Sequence, residues 1–190
     1  MDDYVGMIEK SSIAVALLRG VNVSGANIVR MTDLRAALTE AGLEDVATYI
    51  QSGNILFRRS AGSLEDSRDR IAAVLKDRFD AEVAVLVMDA HRLERIAAAS
   101  PYHEDPESRR AAVYISFLEE TPTIGDTAGF DELATSTEAW TLENDVFYLH
   151  CPEGYGRTKL SNTAVESVLG VRATTRNMRT IRKLVDLADQ

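Results

Sequence analysis

The sequence predicts an α+β protein: a ferredoxin-like βαββαβ N-terminal unit followed by a second mixed α/β subdomain. Three observations predict it. Apolar runs of strand length alternate with stretches whose apolar residues recur at helical spacing. The first half reads strand, helix, two strands about a tight turn, helix, strand, which is the order of a βαββαβ unit. The hydrophobic fraction of 45% and the charged fraction of 27% are those of an ordinary globular chain.

Each element has its own signal. Residues 1–12 form an acidic extension without the apolar stretch of a signal peptide. Ile13–Leu18 is a continuous apolar run, suited to a buried strand. Thr32 is placed to cap a helix through about Ala41, with Leu34, Ala37, Leu38 and Ala41 on one side and Gly42 to end it. Val46–Gln51 and Ile55–Arg58 read as hairpin arms. Leu64–Phe79 reads as a second helix and Glu82–Met88 as a fourth strand, closing a subdomain over residues 13–89. In residues 90–190, Asp89 is expected to cap a helix to about Ala99, and Ala111–Leu118 to be a strand. A short helix is expected near Asp131–Leu133, and a hairpin from Glu138–Leu142 and Val146–Cys151. Ser161–Leu169 reads as a helix ended by Gly170, and Met178–Ala188 as a last helix with Thr175 as its N-cap. No clear sequence repeat is visible.

The bulk numbers restrict function. No apolar run approaches the ~20 residues of a membrane span, so a cytoplasmic protein with no membrane partner is expected. Cys151 is the single cysteine, which excludes an internal disulfide. Its neighbour His150 points to the opposite face of the same strand, and with His91 and His103 as the other histidines no metal site is expected. No spacing points to a cofactor. The net charge of −9 is uneven: residues 155–183 hold seven basic groups against Glu166 alone. A basic block on an acidic body suggests an anionic partner or an internal electrostatic contact. The acidic body disfavours strong non-specific binding to long nucleic acid.

Three stretches carry the candidate site. The crossover rule makes the first two strands parallel, so Arg19 and the loop after it should face the turn Gln51–Asn54. That loop, with Asn22 and Asn27, leaves a strand and enters a helix N-terminus, an arrangement suited to anions. The competing reading is that Arg19 pairs an acid and the asparagines hold turns. In the turn, a positive φ explains Gly53 and a bond to local backbone is the competing reading of Asn54, whereas Gln51 is not well explained; Gln51, Ser52 and Asn54 are candidate ligand residues. Arg157 and Lys159 lie in a Gly-containing loop, and Thr175, Arg176 and Asn177 are expected at the start of the last helix. A cation there opposes the helix dipole, so a bound anion or an acid of the body should compensate. Arg172, Arg179 and Arg182 read as solvated face. Met31, Met88, Phe117, Trp140 and Phe147 read as core; Tyr102 and Tyr155 lie in loops and could stack on a base, with packing the favoured reading.

The stretches LLRGVNVSGANIVRMTDLRAAL, TYIQSGNILF and YGRTKLSNTAVESVLGVRATTRNMRTIRKL together resemble DUF1697, a family of uncharacterised conserved bacterial proteins. The resemblance runs from about Ile13 to Leu187 and implies an α+β fold in two subdomains with ferredoxin-like character. Arg19, Gly20, Asn22, Gly25 and Asn27 match the first motif, and Gln51, Ser52, Gly53 and Asn54 the second. Tyr155, Gly156, Arg157, Lys159, Leu160, Thr175, Arg176, Asn177, Thr180, Lys183 and Leu184 match the third. Ala26 stands where members often carry lysine, and Met178 where they often carry tryptophan.

Three functions fit these residues. The first is a protein that binds an anionic ligand: a nucleotide, another phosphate-bearing small molecule or a short nucleic acid. The second is an enzyme of phosphorylated or carboxylated substrates, with Asp33 or His103 as the nearest candidate bases. The third is a protein-interaction module whose motifs hold the fold. The sequence leaves enzymatic activity and oligomeric state open.

Overall fold

The computed structural model describes residues 13–23, 27–59, 62–102, 112–123 and 127–190. Two compact units divide the chain: the described residues to Arg95 with Lys183–Gln190, and Ile96–Arg182.

The first unit contains β1 (Ile13–Leu18), α1 (Met31–Glu40), β2 (Glu44–Tyr49), β3 (Asn54–Arg58), α2 (Leu64–Phe79), β4 (Val85–Asp89) and the start of α3 (Ala90–Ala98). Its strands lie in the order β2-β3-β1-β4, with every neighbouring pair antiparallel. Central β1 is buried from Ala14 to Leu18, which is why it is apolar without alternation. Ala14, Ala16 and Leu18 meet Leu34 and Leu38 of α1 and Ile71 and Leu75 of α2 in one core.

The helix ends explain the boundaries. α1 starts at Met31, and Arg30 occupies the N-cap without a side-chain bond, so Thr32 is not the cap. The Thr32 hydroxyl instead donates to Asp33 Oδ1 at 3.2 Å. Gly42, at φ +88, ends the helix as expected. Leu43 N–H donates to Leu38 O and Gly42 N–H to Thr39 O, the paired bonds of a Schellman motif. α2 opens with a capping box between Ser63 and Asp66, whose hydrogen bonds hold the Asp66 carboxyl below its usual range. Edge strand β2 carries a register shift between Glu44 and Ala47, an irregularity of the kind that discourages edge pairing.

The second unit contains the end of α3, β5 (Val113–Leu118), α4 (Ala128–Leu133), β6 (Ala139–Glu143), β7 (Val146–His150), α5 (Asn162–Leu169), β8 (Ala173–Asn177) and the start of α6 (Met178–Ala188). Strand β8 replaces the expected loop and N-cap at Thr175. Its sequence, ATTRN, is too polar to announce a strand, and its partner β5 supplies the apolar surface. The order is β6-β7-β5-β8, again antiparallel throughout. Phe130, Phe147, Leu149, Cys151, Leu160 and Val165 form its core. Trp140, expected in the core, is half-buried and stacks on Phe147 with ring centres 5.9 Å apart.

The two units repeat one design that the sequence does not display. Leu18 N–H donates to Gly53 O at 2.8 Å and Arg19 N–H to Ala84 O at 3.0 Å. In the second unit Leu118 N–H donates to Asp145 O at 2.9 Å and Glu119 N–H to Arg172 O at 3.0 Å. The registers agree as well: Leu17 faces Asn54 as Phe117 faces Val146.

Candidate functional site

The end of β1 and the turn between β2 and β3 lie side by side, as parallel β1 and β2 require. The Leu18–Gly53 bond joins them, and Arg19 follows directly. Gly53 is buried at φ +73. A Cβ there would stand 2.5 Å from Val21 Cγ2 and 2.7 Å from Leu18 Cβ, so the turn packs onto the loop only because the side chain is absent. Asn54 is fully buried, and its amide donates to Tyr49 O at 2.9 Å and Ser52 Oγ at 3.1 Å.

Asn22 ties three segments together. Its Nδ2 donates to Val29 O at 2.9 Å and to Gln51 O at 2.8 Å. Its Oδ1 accepts from Val29 N–H at 2.9 Å. Asn22 N–H donates to Asn27 O at 3.1 Å, and Asn27 Nδ2 reaches Gly20 O at 3.3 Å. Both asparagines sit at positive φ, +55 and +48, where asparagine is tolerated better than most residues. The motif asparagines therefore brace residues 20–23 and 27–29 against the hairpin turn.

The brace displays apolar side chains. Among the described residues the exposed large hydrophobics are Val23 at 56%, Ile28 at 72% and Ile50 at 49%. Val23 follows Asn22, Ile28 precedes Val29 and Ile50 precedes Gln51, so all three adjoin residues that Asn22 joins. Ile50 has φ +50, a costly setting for a β-branched residue. An Ile50→Asn variant should gain about 1 kcal/mol by relieving that strain, readable as a higher midpoint in chemical denaturation.

The corresponding end of the second unit differs. Its hairpin closes with two residues, Asn144 and Asp145, where the first unit uses Ile50 to Gly53. Glu119, Glu120, Glu143 and Asp145 surround that end of the sheet, and no large apolar side chain is exposed there among the described residues.

The third motif is placed otherwise than predicted. Arg176 lies within β8 opposite Ile115 and is 8% exposed, so it is not a solvent-facing cation at a helix N-terminus. Burial draws its guanidinium down to about 10, and its Nη1 donates to Thr175 O at 2.9 Å. Asn177 takes the capping role expected of Thr175: its Oδ1 accepts from Thr180 N–H at 2.7 Å. Thr175 is the centre of a polar cluster that sequence reasoning missed. Its hydroxyl meets Ser116 Oγ at 2.6 Å, accepts from Tyr155 OH at 3.3 Å and donates to Asn162 Oδ1. Burial raises the Tyr155 phenol. Arg157 and Lys159 are exposed, and Arg157 pairs with Glu153 at 3.3 Å.

Other chemistry is sparse. Asp33 is exposed in the first turn of α1, and His103 lies outside the described residues. Tyr102 packs, as expected, with its OH 2.9 Å from Thr141 Oγ1 and its ring on His150. A shallow groove of about 480 Å³ is lined by Asp131, Thr135, Glu138 and Trp140. Asp131 accepts from Trp140 Nε1, and Glu138 from Thr135 N–H. No group of three potential metal ligands occurs among the described residues. No helix among them is long and apolar enough to cross a membrane. Cys151 is buried, and burial, then the Glu138 carboxylate, pushes its thiol from 9.0 up to about 12. A thiol reagent at pH 8 should leave the native chain unmodified and label it fully in denaturant. Prompt native labelling would contradict this placement.

Comparison with solved structures finds a conserved bacterial protein from Streptococcus pneumoniae, 24% identical, with a TM-score of 0.66. The alignment covers 93% of this chain and 98% of that one, and it supports the fold. Comparison with curated proteins gives no match. Residues 12–148 match the family described as protein of unknown function (DUF1697). That span holds the Arg19–Asn27 and Gln51–Asn54 motifs, and on this match the chain belongs to the DUF1697 family.

Proposed function

We propose that the chain is a protein-interaction module that docks a partner through Val23, Ile28 and Ile50. One observation carries the reading: the exposed large hydrophobics among the described residues gather on loops that Asn22 locks together. The segments that Asn22 joins are held together before any partner arrives, which lowers the entropy cost of docking on them. Apolar side chains gathered at one end of a sheet are a feature of docking surfaces when they form a contiguous patch. The second unit supports the reading, since it closes the same design without an exposed apolar end.

A second reading is an anionic ligand at Arg157 and Lys159, both exposed in the loop before α5. It stands second because Arg157 already pairs with Glu153 and because Arg176 is buried.

A photo-crosslinking residue at position 28, compared with one at position 144, tests the first reading. Position 28 should give a discrete adduct in cell lysate. Unlabelled wild-type chain should compete it away, and an Ile28→Asp, Ile50→Asp double variant should not. Equal competition by both would remove the reading. A thermal shift with nucleotides or sugar phosphates, lost in Lys159→Ala, would put the anionic ligand first.

A further inference from the structure

We infer that the outer edge of β6 takes a cationic, extended segment of another protein by strand addition. This surface belongs to the second unit and does not depend on the apolar end of the first. β6 stands at the end of its sheet, with β7 as its neighbour. In an antiparallel ladder every second residue turns its N–H and C=O away from the neighbour. Among the described residues nothing bonds to those outward groups of Ala139–Glu143. The counterpart strand β2 guards its edge with the register shift between Glu44 and Ala47. β6 has no such guard: Ala139 to Glu143 pair one for one with His150 to Val146. It also lacks the lysine and proline that blunt an edge. Trp140, Thr141 and Leu142 are half-buried and of types that suit a strand.

The groove beside this edge sets the occupant's chemistry. Asp131, Glu138, Ala139 and Trp140 line it, so a side chain of an added strand would enter against an indole and two carboxylates. That setting suits a lysine or arginine, by ion pairing and by contact with the ring. The surroundings agree. Residues 127–150 hold Asp131, Glu132, Glu138, Glu143 and Asp145 and no lysine or arginine. Among the described residues no ion pair reaches Asp131, Glu132, Glu138 or Glu143. The net charge of −9 on the whole chain favours a cation as well. A second copy fits less well, because pairing β6 with β6 would set these carboxylates against themselves. A nucleic acid would be repelled.

Selection from a random-peptide library on the full chain, counter-selected on an Asp131→Lys, Glu143→Lys variant, reads the occupant directly. Enriched peptides should alternate Lys or Arg with β-branched or aromatic residues, at the period of a strand. Trp140 is the single tryptophan, so its emission reports binding of a synthetic enriched peptide and its circular dichroism reports the fold of each variant. Affinity should fall about tenfold in Asp131→Asn, Glu143→Gln and should fall with added salt. N-methylation along the peptide should abolish binding at alternate positions and spare those between, because every second N–H enters the ladder. A methylation scan without that alternation would overturn strand addition. Peptides without Lys or Arg enrichment would overturn the cationic occupant, and no enrichment over the counter-selection would overturn both. Self-association in sedimentation that an enriched peptide dissolves would put a second copy on the edge instead.

Discussion

Replacing Gly53 with alanine is expected to destabilise the first unit by about 2–4 kcal/mol, through overpacking and a left-handed backbone. The new methyl would overlap Val21 and Leu18, at 2.5 and 2.7 Å, and both are core residues that cannot swing aside. The φ of +73 adds the cost of a Cβ in that region. Gly20 is the control. It has a similar φ of +72, but a Cβ there meets nothing within 4 Å. Gly20→Ala should therefore lose only the conformational part, about 1 kcal/mol. Urea denaturation of the two variants separates strain from crowding. Equal losses would show that the turn does not pack as described.

Asn22→Ala should cost about 2–3 kcal/mol, because it strands several polar groups and leaves alanine at positive φ. Val29 N–H, Val29 O and Gln51 O each lose a partner. Two companions apportion the loss. Asn22→Gly restores backbone comfort at φ +55 but none of the bonds. Asn22→Asp keeps the acceptor for Val29 N–H and loses both donors. The expected order of stability is wild type, then Asn22→Asp and Asn22→Gly, then Asn22→Ala. The two intermediates should differ in amide hydrogen exchange, with Val29 N–H still protected in Asn22→Asp. Exchange at Val29 that is unchanged in all three would disconnect Asn22 from the loop.

Some of this architecture is legible in the letters and some is not. Ile13–Leu18 announces a buried strand because no polar residue interrupts it. Ser63 and Asp66 mark the start of α2, and Gly42 the end of α1, because each solves a local hydrogen-bonding problem. β8 is hidden because Thr174, Thr175 and Arg176 become strand residues only when β5 pairs with them. The Thr175 cluster is hidden for a related reason: Ser116 lies 59 positions away and meets it only across that pairing. Arg176 was misplaced along with the strand that buries it. In the first unit, the meeting of Arg19 with the hairpin turn follows from strand directions alone. The exposure of Val23, Ile28 and Ile50 does not, because aliphatic residues normally signal core.

The bond that shuts each sheet end uses a main-chain carbonyl, Gly53 O in one unit and Asp145 O in the other. Turns of different length supply that acceptor, although in the first unit the residue that supplies it has to be glycine. Each hairpin tip can thus differ in length so long as its closing residue fits the sheet end. Grafting Asn-Gly between Tyr49 and Asn54, which keeps a glycine as the acceptor, should keep the first sheet folded at the cost of the Asn22–Gln51 bond, while stripping Ile50 and Gln51 from its end. Loop surgery can in this way separate what the sheet needs from what its surface offers to other molecules.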